Sequence, residues 1–347
     1  MPTILGLEST CDETSAAIVR DGWDVRSNIV ATQIDLHAKY RGVVPEIASR
    51  AHIENLLPVL NEALAQAACG LAQLDAISVT HRPGLIGSLL IGVTAAKTLA
   101  WALGKPLIGV DHVHAHLYSV MIETNDPPPM PSVGLVVSGG HTALYDVRDF
   151  AHVKLIGSTI DDAVGEAYDK VAAILGLGYP GGPVIDQLAA GASPTINFPR
   201  TLLDRDSLDF SFSGLKTAVL YHVRGHKGRQ RDASSFSQQD IAQVAASFQA
   251  ACVDVLVTKL RRAVAQTGAR SVIIGGGVSA NRGLRAALAT FGVPVFFPPL
   301  RYCTDNAAMS AGLAHLAYQA GRFSPLDLDA ITYSEFLADA PARLGGK

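Results

Sequence analysis

The sequence is poor in cysteine and in charge of one sign, and its first residues do not match the pattern of a secretory signal, so we expect none. Its 347 residues include four cysteines, 28 Lys and Arg, and 31 Asp and Glu, which gives a formal net charge of −3. The cysteines are far apart and form no CxxC pair, so a disulfide framework is excluded at this size. The near-neutral charge argues against a strongly basic nucleic-acid binder but leaves room for a local basic patch. We expect a cytoplasmic protein with reduced thiols and no membrane association.

Charged residues are also scarce, which indicates sizeable buried cores. Hydrophobic residues make up 48% of the chain and charged residues 17%, so disorder is excluded as a description of the whole chain. The 32 glycines and 18 prolines indicate a loop-rich α/β protein rather than a helical bundle. A chain of this length suggests two lobes.

Two long stretches of the chain share one pattern. Residues 3–19 and 133–147 each contain a strand, a turn of small residues and a second strand, which predicts a hairpin. Residues 76–110 and 271–297 each contain a strand, a glycine loop, a helix and a strand, which predicts a parallel βαβ unit. The repeated order predicts an α/β fold of two duplicated lobes, with mixed sheets and a cleft between the lobes.

A proline-rich stretch separates the two copies. Residues 123–131 contain four prolines, which can continue neither a helix nor a central strand. We therefore place the first lobe at residues 1–122, the connection at 123–132 and the second lobe at 133–307. We expect a C-terminal helix from about residue 308 to residue 347 to complete the first lobe.

Three histidines alternate with other residues directly after the first βαβ unit. If this segment is helical, His112 and His116 lie one turn apart on one face and could bind one metal ion, with His114 pointing elsewhere. If the preceding strand continues, all three share a face. Core or surface histidines without a metal are the alternative to both. The HExxH signature of zinc peptidases is absent because Val113 occupies the Glu position.

A carboxylate follows the last predicted strand of the second lobe. Asp305 stands two residues after Cys303 and follows a Pro-Pro turn. It can cap a helix that begins at Ala307. It can instead complete a set of two histidines and one carboxylate, which suits iron or zinc with open positions. The pattern alone does not choose between these two roles.

Three glycine turns are candidates for binding phosphate, because glycine lets backbone N–H groups approach an anion closely. They lie at residues 138–142, 179–183 and 275–281. The last matches GxGxxG/A, but no Asp or Glu ends the next strand and no Walker motif is present. A nucleotide in the cleft between the lobes therefore fits better than Rossmann binding. The acidic residues near these turns are Glu8, Asp12, Glu13, Asp161, Asp162, Glu166, Asp169 and Asp186.

Several features have an ordinary structural explanation. Asp161 and Asp162 can cap a helix, and Glu166 and Asp169 can face either the cleft or solvent. The predicted helix at residues 239–266 carries an apolar stripe, which we interpret as core packing. A basic run between Arg224 and Arg231 is typical of a solvated loop or of a local phosphate contact.

Nine motifs occur in order along the chain, from about residue 3 to about residue 315. They are residues 5–14, 42–50, 112–116, 137–142, 161–170, 179–183, 210–217, 276–281 and 303–306. In content and order they resemble the tRNA N6-adenosine threonylcarbamoyltransferases of the bacterial TsaD type, once named O-sialoglycoprotein endopeptidases. The number of motifs in one order makes a chance resemblance very improbable.

This resemblance implies an actin-like (ASKHA) fold of two RNase H-like lobes, in agreement with the duplication. It implies one divalent metal ion per subunit, iron in most members with zinc as the other choice, held by His112, His116 and Asp305. It implies threonylcarbamoyl-AMP or an ATP-like nucleotide in the cleft. The residues implied for this nucleotide are Val136, Val137, Ser138, Gly139, Gly140, Asp169, Gly182, Asp186 and Asn281.

The resemblance also implies the reaction and its partners. The threonylcarbamoyl group would move from threonylcarbamoyl-AMP to N6 of the adenosine immediately 3′ of the anticodon, position 37, in tRNAs reading codons that begin with A. The product would be threonylcarbamoyladenosine (t6A). The partners would be tRNA, a TsaB-like paralogue, a TsaE-like ATPase and a separate synthase of the donor. An amine nucleophile benefits from a general base, and Glu13 and His141 are the candidates, with Asp12 a weaker one.

Two residues depart from the family pattern. Arg41 and Arg82 stand where the family usually has glycine, and a positive φ at Arg82 would strain its loop. Two other functions compete with the transferase. One is a carbamoyltransferase acting on a small-molecule hydroxyl, and the other is a non-catalytic partner subunit of the same fold, which would not need a ligand set. The old peptidase assignment ranks last because no peptidase motif is present.

Overall fold

The residues that the structure describes form two five-stranded sheets, one from each half of the chain. A computed structural model describes residues 1–124, 126–203, 206–225 and 236–334. The strands of the first sheet are β1 (Thr3–Glu8), β2 (Glu13–Arg20), β3 (Asp24–Thr32), β4 (Ala76–Arg82) and β5 (Leu107–Asp111). The strands of the second sheet are β6 (Ser132–Val137), β7 (Thr142–Asp149), β8 (His152–Ser158), β9 (Ser271–Gly275) and β10 (Val295–Phe296).

Both sheets have the same strand order and the same strand directions. The first runs β3-β2-β1-β4-β5, and the second runs β8-β7-β6-β9-β10. In each sheet the first three strands in sequence pair antiparallel, while the first, fourth and fifth pair parallel. The predicted α/β fold of two duplicated mixed sheets is therefore confirmed.

Each sheet has one more antiparallel strand than the sequence predicts. β3 and β8 consist mostly of exposed and half-buried residues, so their apolar alternation is too weak to be recognised. The prediction of a strand over residues 293–297 was too long, because β10 has only two residues. Pro294 and Pro298 flank it, and proline lacks the N–H that would extend the pairing.

Helices cover both sheets. In the described part of the chain they are α1 (Ile34–Ala38), α2 (Pro45–Gln66), α3 (Ile86–Leu103), α4 (His112–Tyr118), α5 (Val164–Ile174), α6 (Gly181–Ala189), α7 (Ser213–Arg224), α8 (Gln238–Thr267), α9 (Arg282–Leu288) and α10 (Ala307–Gln319). Leu56 of α2 and Leu89 of α3 share the core of the first sheet with Leu5. Phe248 of α8 packs in the core of the second sheet, near Leu135.

Two of these helices are long and apolar enough to cross a membrane, judged by length and composition alone. They are α3 and α8, and 33% and 67% of their most apolar windows are buried inside the fold. Buried core helices meet the same criteria, so this observation is weak support for a membrane span.

Two helices lie against the sheet of the other half of the chain. α4 follows β5 and packs on both sheets: its Val113 and Leu117 pack with Ile273 of the second sheet, and its Ala115 and Tyr118 belong to the core of the first. α10 follows the second sheet in sequence but packs on the first, where a Cβ at Gly6 would lie 2.5 Å from the carbonyl oxygen of Ala307. Two predicted metal ligands, His112 and His116, lie in α4, and the third, Asp305, lies just before α10. The packing of these two helices therefore brings the predicted ligands together.

The chain beyond α10 returns along the first sheet as an irregular segment. The helix ends at Gln319, so the predicted C-terminal helix was wrong for residues 320–334. Within this segment the backbone N–H of Ile331 donates to the carbonyl of His81 at 2.9 Å. Residues 335–347 lie outside the described part of the chain, as do residues 226–235, which include most of the basic run. The predicted lobe boundaries stay a prediction.

Candidate active site

A cavity of about 610 Å³ lies between the two halves of the molecule, and both contribute to its walls. The predicted site residues that line it are Glu13, His112, Ser138, Gly139, Gly140, His141, Asp169, Gly182, Asp186, Asn281 and Asp305. Three predicted residues do not line it. His116 is fully buried and contacts Asp305 instead, and Val136 and Val137 lie in the hydrophobic cores on either face of β6.

The histidine segment is helical, because Asp111 ends β5 and caps the helix that follows. One carboxylate oxygen of Asp111, Oδ1, accepts hydrogen bonds from the backbone N–H groups of Val113 (3.0 Å) and His114 (3.2 Å). Helical spacing then places the rings of His112 and His116 with their centroids 4.6 Å apart. The helical interpretation is confirmed, and the alternative of a continued strand is wrong.

Asp305 faces this histidine pair. Its Oδ1 lies 3.1 Å from His116 Nε2 and 3.4 Å from His112 Nε2. Asp305 does not cap α10. Asn306 does so, because its side-chain oxygen accepts from the backbone N–H of Met309 at 3.2 Å. The carboxylate is therefore left to face the two imidazoles.

These three side chains suit a metal ion. Their candidate ligand atoms all lie within 4.8 Å of one another, and two imidazoles with one carboxylate form a set used by iron and zinc. Although burial alone would raise the pKa of Asp305, His112 and His116 hold it well below its usual value. Burial lowers the pKa of His112, but Asp305 and Glu8 raise it well above 6.5 overall. A metal ion would take the place of that proton.

Glu8 supports His112 from behind and was not singled out as a ligand partner from sequence. It is fully buried, and its Oε2 lies 3.5 Å from His112 Nδ1. Thr80 Oγ1 donates to the same oxygen at 2.5 Å, and Thr10 Oγ1 lies 3.3 Å from His112 Nδ1. A carboxylate behind a ligating histidine orients the ring and increases its basicity. The feature of the sequence that could have indicated this role is a single Glu at the end of the buried strand β1.

The turn between β6 and β7 presents free backbone to the cavity. It is closed by the N–H of Ser138 donating to His141 O (2.8 Å) and the N–H of His141 donating to Ser138 Oγ (3.1 Å). Gly139 and Gly140 are exposed, and a Cβ on either would meet nothing within 4 Å. A Cβ at Gly165, on α5, would lie 2.5 Å from Ser138 O, so this helix begins directly beside the turn.

A second group of polar residues lines the cavity on the second lobe. Asp169 Oδ1 accepts from the backbone N–H of Gly181 at 2.7 Å, and burial raises the pKa of Asp169. Asp186 forms an ion pair with Arg282, with Nε and Oδ2 2.8 Å apart. Asn281 caps α9. These side chains offer both acceptors and donors to a ligand in the cavity.

The two candidate bases, Glu13 and His141, line the cavity. They lie near His112, His116 and Asp305, which we call the metal set. Burial, with smaller contributions from the charges of Asp305 and Asp12, raises the pKa of Glu13 well above its usual value. Burial, together with the nearby His112 and His116, lowers the pKa of His141 to about 4. His141 is therefore neutral at physiological pH, which leaves one ring nitrogen with a free lone pair but makes the ring a weaker base than an ordinary histidine.

The other acidic residues have structural partners. Asp161 accepts from the hydroxyls of Ser211 and Ser213, both at 2.6 Å, rather than capping α5. Asp162 pairs with Lys170 at 2.8 Å and with Lys216 at 2.7 Å. Both aspartates lie outside the cavity lining, and they tie the segment before α5 to that around α7.

The two departures from the family pattern differ in backbone conformation. Arg41 has a φ of 58°, in the left-handed region that glycine adopts more easily. Arg82 has no positive φ, so the strain considered for it does not arise. Its Nε lies 3.5 Å from Asp111 Oδ2, which places a positive charge beside the cap of α4.

Comparison with known proteins agrees with this geometry. A family model described as TsaD, tRNA N6-adenosine threonylcarbamoyltransferase, matches residues 24–312. The chain belongs to the TsaD family. Relatives named tRNA N6-adenosine threonylcarbamoyltransferase include those of Moorella thermoacetica, 53% identical, and Geobacillus kaustophilus, 50% identical, each covering 94% of this chain and 95% of the relative. The resemblance based on the motifs is confirmed, and this TsaD chain is a transferase.

Solved structures share the fold of this TsaD chain. HypF of T. kodakarensis has a TM-score of 0.59 at 15% identity, covering 92% of this chain and 48% of that one. Component A of the (R)-2-hydroxyglutaryl-CoA dehydratase of Acidaminococcus fermentans has a TM-score of 0.56 at 13% identity, covering 92% and 99%. At such identities the likeness concerns the fold alone, and it confirms the actin-like (ASKHA) arrangement.

Proposed function

We propose that this TsaD chain transfers the threonylcarbamoyl group of threonylcarbamoyl-AMP to N6 of the adenosine immediately 3′ of the anticodon, position 37. The product is t6A, in tRNAs reading codons that begin with A. One observation carries the proposal: in this TsaD family member, one cavity is lined both by His112 and Asp305, two of the three candidate metal ligands, and by glycine turns that expose backbone N–H groups. The names of the relatives support tRNA as the substrate.

The donor would bind along the second lobe. Its phosphate would lie on the backbone N–H groups of Gly139 and Gly140, whose surroundings are open. Asp186 and Asn281, which line the same cavity, would bind the nucleoside portion. Val136 and Val137 would act as the buried support of this turn rather than through their side chains.

His112, His116 and Asp305 would hold the metal ion, with iron as the expected metal and zinc as the other choice. When bound, such an ion supplies Lewis acidity, which polarises a carbonyl or binds phosphate oxygens. Glu8 would keep the His112 ring in the orientation that ligation requires.

The transfer requires positioning more than activation, because the mixed anhydride is already activated. The N6 amine attacks the carbonyl carbon, the C–N bond forms, and the bond from that carbon to the phosphate oxygen breaks. AMP leaves with the electron pair. The amine proton passes to a base, for which neutral His141 and Glu13 are the candidates in the cavity wall.

Partner proteins complete the proposal. We expect a TsaB-like paralogue, a TsaE-like ATPase and a separate synthase that supplies the donor, all in the cytoplasm with tRNA. α2 and α3 leave large apolar side chains exposed, among them Ile53, Leu57, Ile86 and Leu90. An exposed apolar face of this kind supports a protein partner on the first lobe.

The proposal is tested by measuring the modified nucleosides of bulk tRNA with mass spectrometry in cells depleted of this protein. We expect t6A to fall, to return with the wild-type protein and to stay low with His112→Ala. His152→Ala is the matched control, because His152 is exposed and distant in sequence from the metal set, and it should restore t6A fully.

A purified system separates the competing functions. Wild-type protein with its partners, threonylcarbamoyl-AMP and tRNA should form t6A, and His112→Ala should not. Unchanged t6A in depleted cells that have no second copy of the enzyme would overturn the tRNA assignment and favour a carbamoyltransferase for small molecules. Full complementation by His112→Ala would instead indicate a non-catalytic partner subunit.

A further inference from the structure

A buried glutamine behind the cavity connects two of the residues that line it. Gln249 lies on α8, the helix whose apolar stripe the sequence predicts to be core, and only 8% of the residue is exposed. Its Nε2 donates to Asp186 Oδ1 at 3.1 Å, and its Oε1 accepts from Asn281 Nδ2 at 2.8 Å. Asp186 and Asn281 line the cavity, whereas Gln249 does not.

The hydrogen bonds run from Asp186 through Gln249 and Asn281 to the backbone of Leu284. The groups at the two ends determine which way the side-chain amides of Gln249 and Asn281 are turned. The Asp186 carboxylate, paired with Arg282, can only accept, so Gln249 must turn its NH2 group towards it. The Gln249 carbonyl then faces Asn281, which must present its own NH2 group. Asn281 Oδ1 is left to accept from the backbone N–H of Leu284 at 2.9 Å, which is the cap of α9. Reversing either amide would oppose like groups in a buried place.

The surroundings are built around this amide. A Cβ at Gly283 would lie 2.7 Å from Gln249 Nε2, so only glycine leaves the side chain its place. The Tyr168 hydroxyl donates to Gln249 Oε1 at 3.4 Å. On its far side, Asp186 is held by Arg282, whose backbone N–H donates to Oδ1 at 3.2 Å. The Asp186 carboxylate is therefore held by two residues, Gln249 and Arg282.

We propose that Gln249 is a positioning residue for the nucleotide portion of the donor. It holds the Asp186 carboxylate and the Asn281 amide in one mutual orientation, so that neither has to be ordered when the nucleotide binds. The inference rests on the proposed function, in which these two side chains contact an adenylate. A buried network of this kind is effective only when every member is satisfied.

The test is direct binding of AMP to the purified full-length protein, measured by calorimetry. Gln249→Met keeps the length of the side chain but removes both hydrogen bonds, and we expect AMP to bind about ten-fold more weakly. The KM for threonylcarbamoyl-AMP should rise by a similar factor, with kcat within about two-fold of wild type because the reacting groups are untouched. Gln249→Glu, which opposes a second carboxylate to Asp186, should weaken binding at least as much.

Controls separate positioning from general destabilisation. Leu256→Ala removes packing from the same helix and core, so it should lower the Tm yet leave AMP affinity within about two-fold, since Leu256 has no part in the hydrogen-bond network. In an Asp186→Asn background, Gln249→Met should cost less affinity than it does alone, because the two changes act through one group.

The outcomes are distinguishable. AMP affinity unchanged in folded Gln249→Met and Gln249→Glu, or reduced only as much as in Leu256→Ala at an equal loss of Tm, would overturn the inference alone. Wild-type protein that binds AMP but forms no t6A with its partners would overturn the proposed function, and a weakened Gln249→Met would still support the positioning role. Wild-type protein that binds no AMP would overturn both.

Discussion

At the scale of single residues, the metal set depends on a carboxylate outside it. Glu8 Oε2 lies 3.5 Å from His112 Nδ1 and is fully buried. Glu8→Gln removes the charge while keeping the shape, so we expect metal affinity to fall by about 10–100-fold. Ser78→Ala is the control, because Ser78 Oγ donates to Leu5 O, at 3.2 Å, in the same sheet and away from the ligands. Competition with a chelator measures both affinities, and equal affinity in wild type and Glu8→Gln would contradict the prediction.

His52 makes the free energy of unfolding depend on pH. Its Nε2 lies 3.1 Å from the carbonyl oxygen of Cys11, which can only accept, so Nδ1 is left to accept from Thr14 Oγ1 at 2.8 Å. Burial lowers the pKa of His52, so the folded state stays neutral where the unfolded state binds a proton, below a pH of about 6.5. The stability is therefore lost as pH falls.

We expect His52→Gln to reduce this pH dependence. Between pH 7.5 and pH 5.5 its free energy of unfolding should fall less than that of wild type, by at most about 1.4 kcal/mol, which is the limit for one histidine whose unfolded-state pKa of about 6.5 lies in the middle of this interval. Urea denaturation at the two pH values measures the difference. Other buried histidines contribute equally to both proteins and cancel. Parallel curves would show that His52 is protonated in the folded state as readily as in the unfolded state.

The sequence predicted the histidine pair of this site but not the supporting roles of Glu8 and Gln249. The relation between His112 and His116 follows from their spacing in sequence, because a helical period of 3.6 residues places them on one face. The role of Glu8 depends on how β1 aligns with β4, where Thr80 reaches it, and spacing in sequence does not encode that. Gln249 was hidden because its neighbours in the apolar stripe are core residues, and burial alone does not show a polar role.

At the scale of elements, the position of α4, which carries His112 and His116, depends on its N-cap residue, Asp111. α4 has seven residues, and Asp111 Oδ1 accepts from two of its first N–H groups. Asp111→Ala should lower the free energy of unfolding by about 1–2 kcal/mol and weaken metal binding, whereas Asp111→Asn should keep the cap, because Asn caps as well as Asp does. Chemical denaturation and chelator competition measure the two effects. Equal losses in both variants would mean that the carboxylate acts on α4 through its charge instead.

Elements were predicted where their apolar period was strong and missed where it was weak. The first strand of each predicted βαβ unit, β4 or β9, is buried along most of its length, and the parallel pair of each unit is present in its half of the chain. β3 and β8 were missed because they lie at sheet edges with mixed exposure. The sequence could not predict that α4 packs against the second sheet and α10 against the first. That packing depends on contacts between residues distant in sequence, such as Gly6 and Ala307.

At the scale of the whole molecule, the first lobe has a surface suited to a partner. Leu57 is 64% exposed and Ile53 62%, one helical turn apart on α2. Leu57→Glu should therefore prevent copurification of the TsaB-like paralogue without changing the Tm, because exposed side chains contribute little to stability. Leu326→Glu, on an exposed residue outside α2 and α3, is the control. Copurification that survives in Leu57→Glu would place the partner elsewhere.

A metal ion bound by the proposed ligands would also connect parts of the chain that are distant in sequence. His112 and His116 belong to α4, which packs on both sheets, and Asp305 directly precedes α10, which packs on the first. An ion held by all three joins the two helices, and a ligand that binds only the folded state stabilises it by mass action. At a metal concentration of 100 times its Kd this amounts to about 2.7 kcal/mol.

A chelator should therefore lower the free energy of unfolding of the wild-type protein by up to that amount. It should also increase hydrogen exchange in α4 and α10 more than in β1 or β6, because the ion restrains the helices and not the central strands. His116→Ala should respond to the chelator in neither measurement, since it lacks one of the ligands. Metal-loaded wild type that loses its ion without a change in stability would show that the lobes are held by packing alone. The joint loss of stability and of helix protection would establish that the proposed metal site also couples the two halves of the fold.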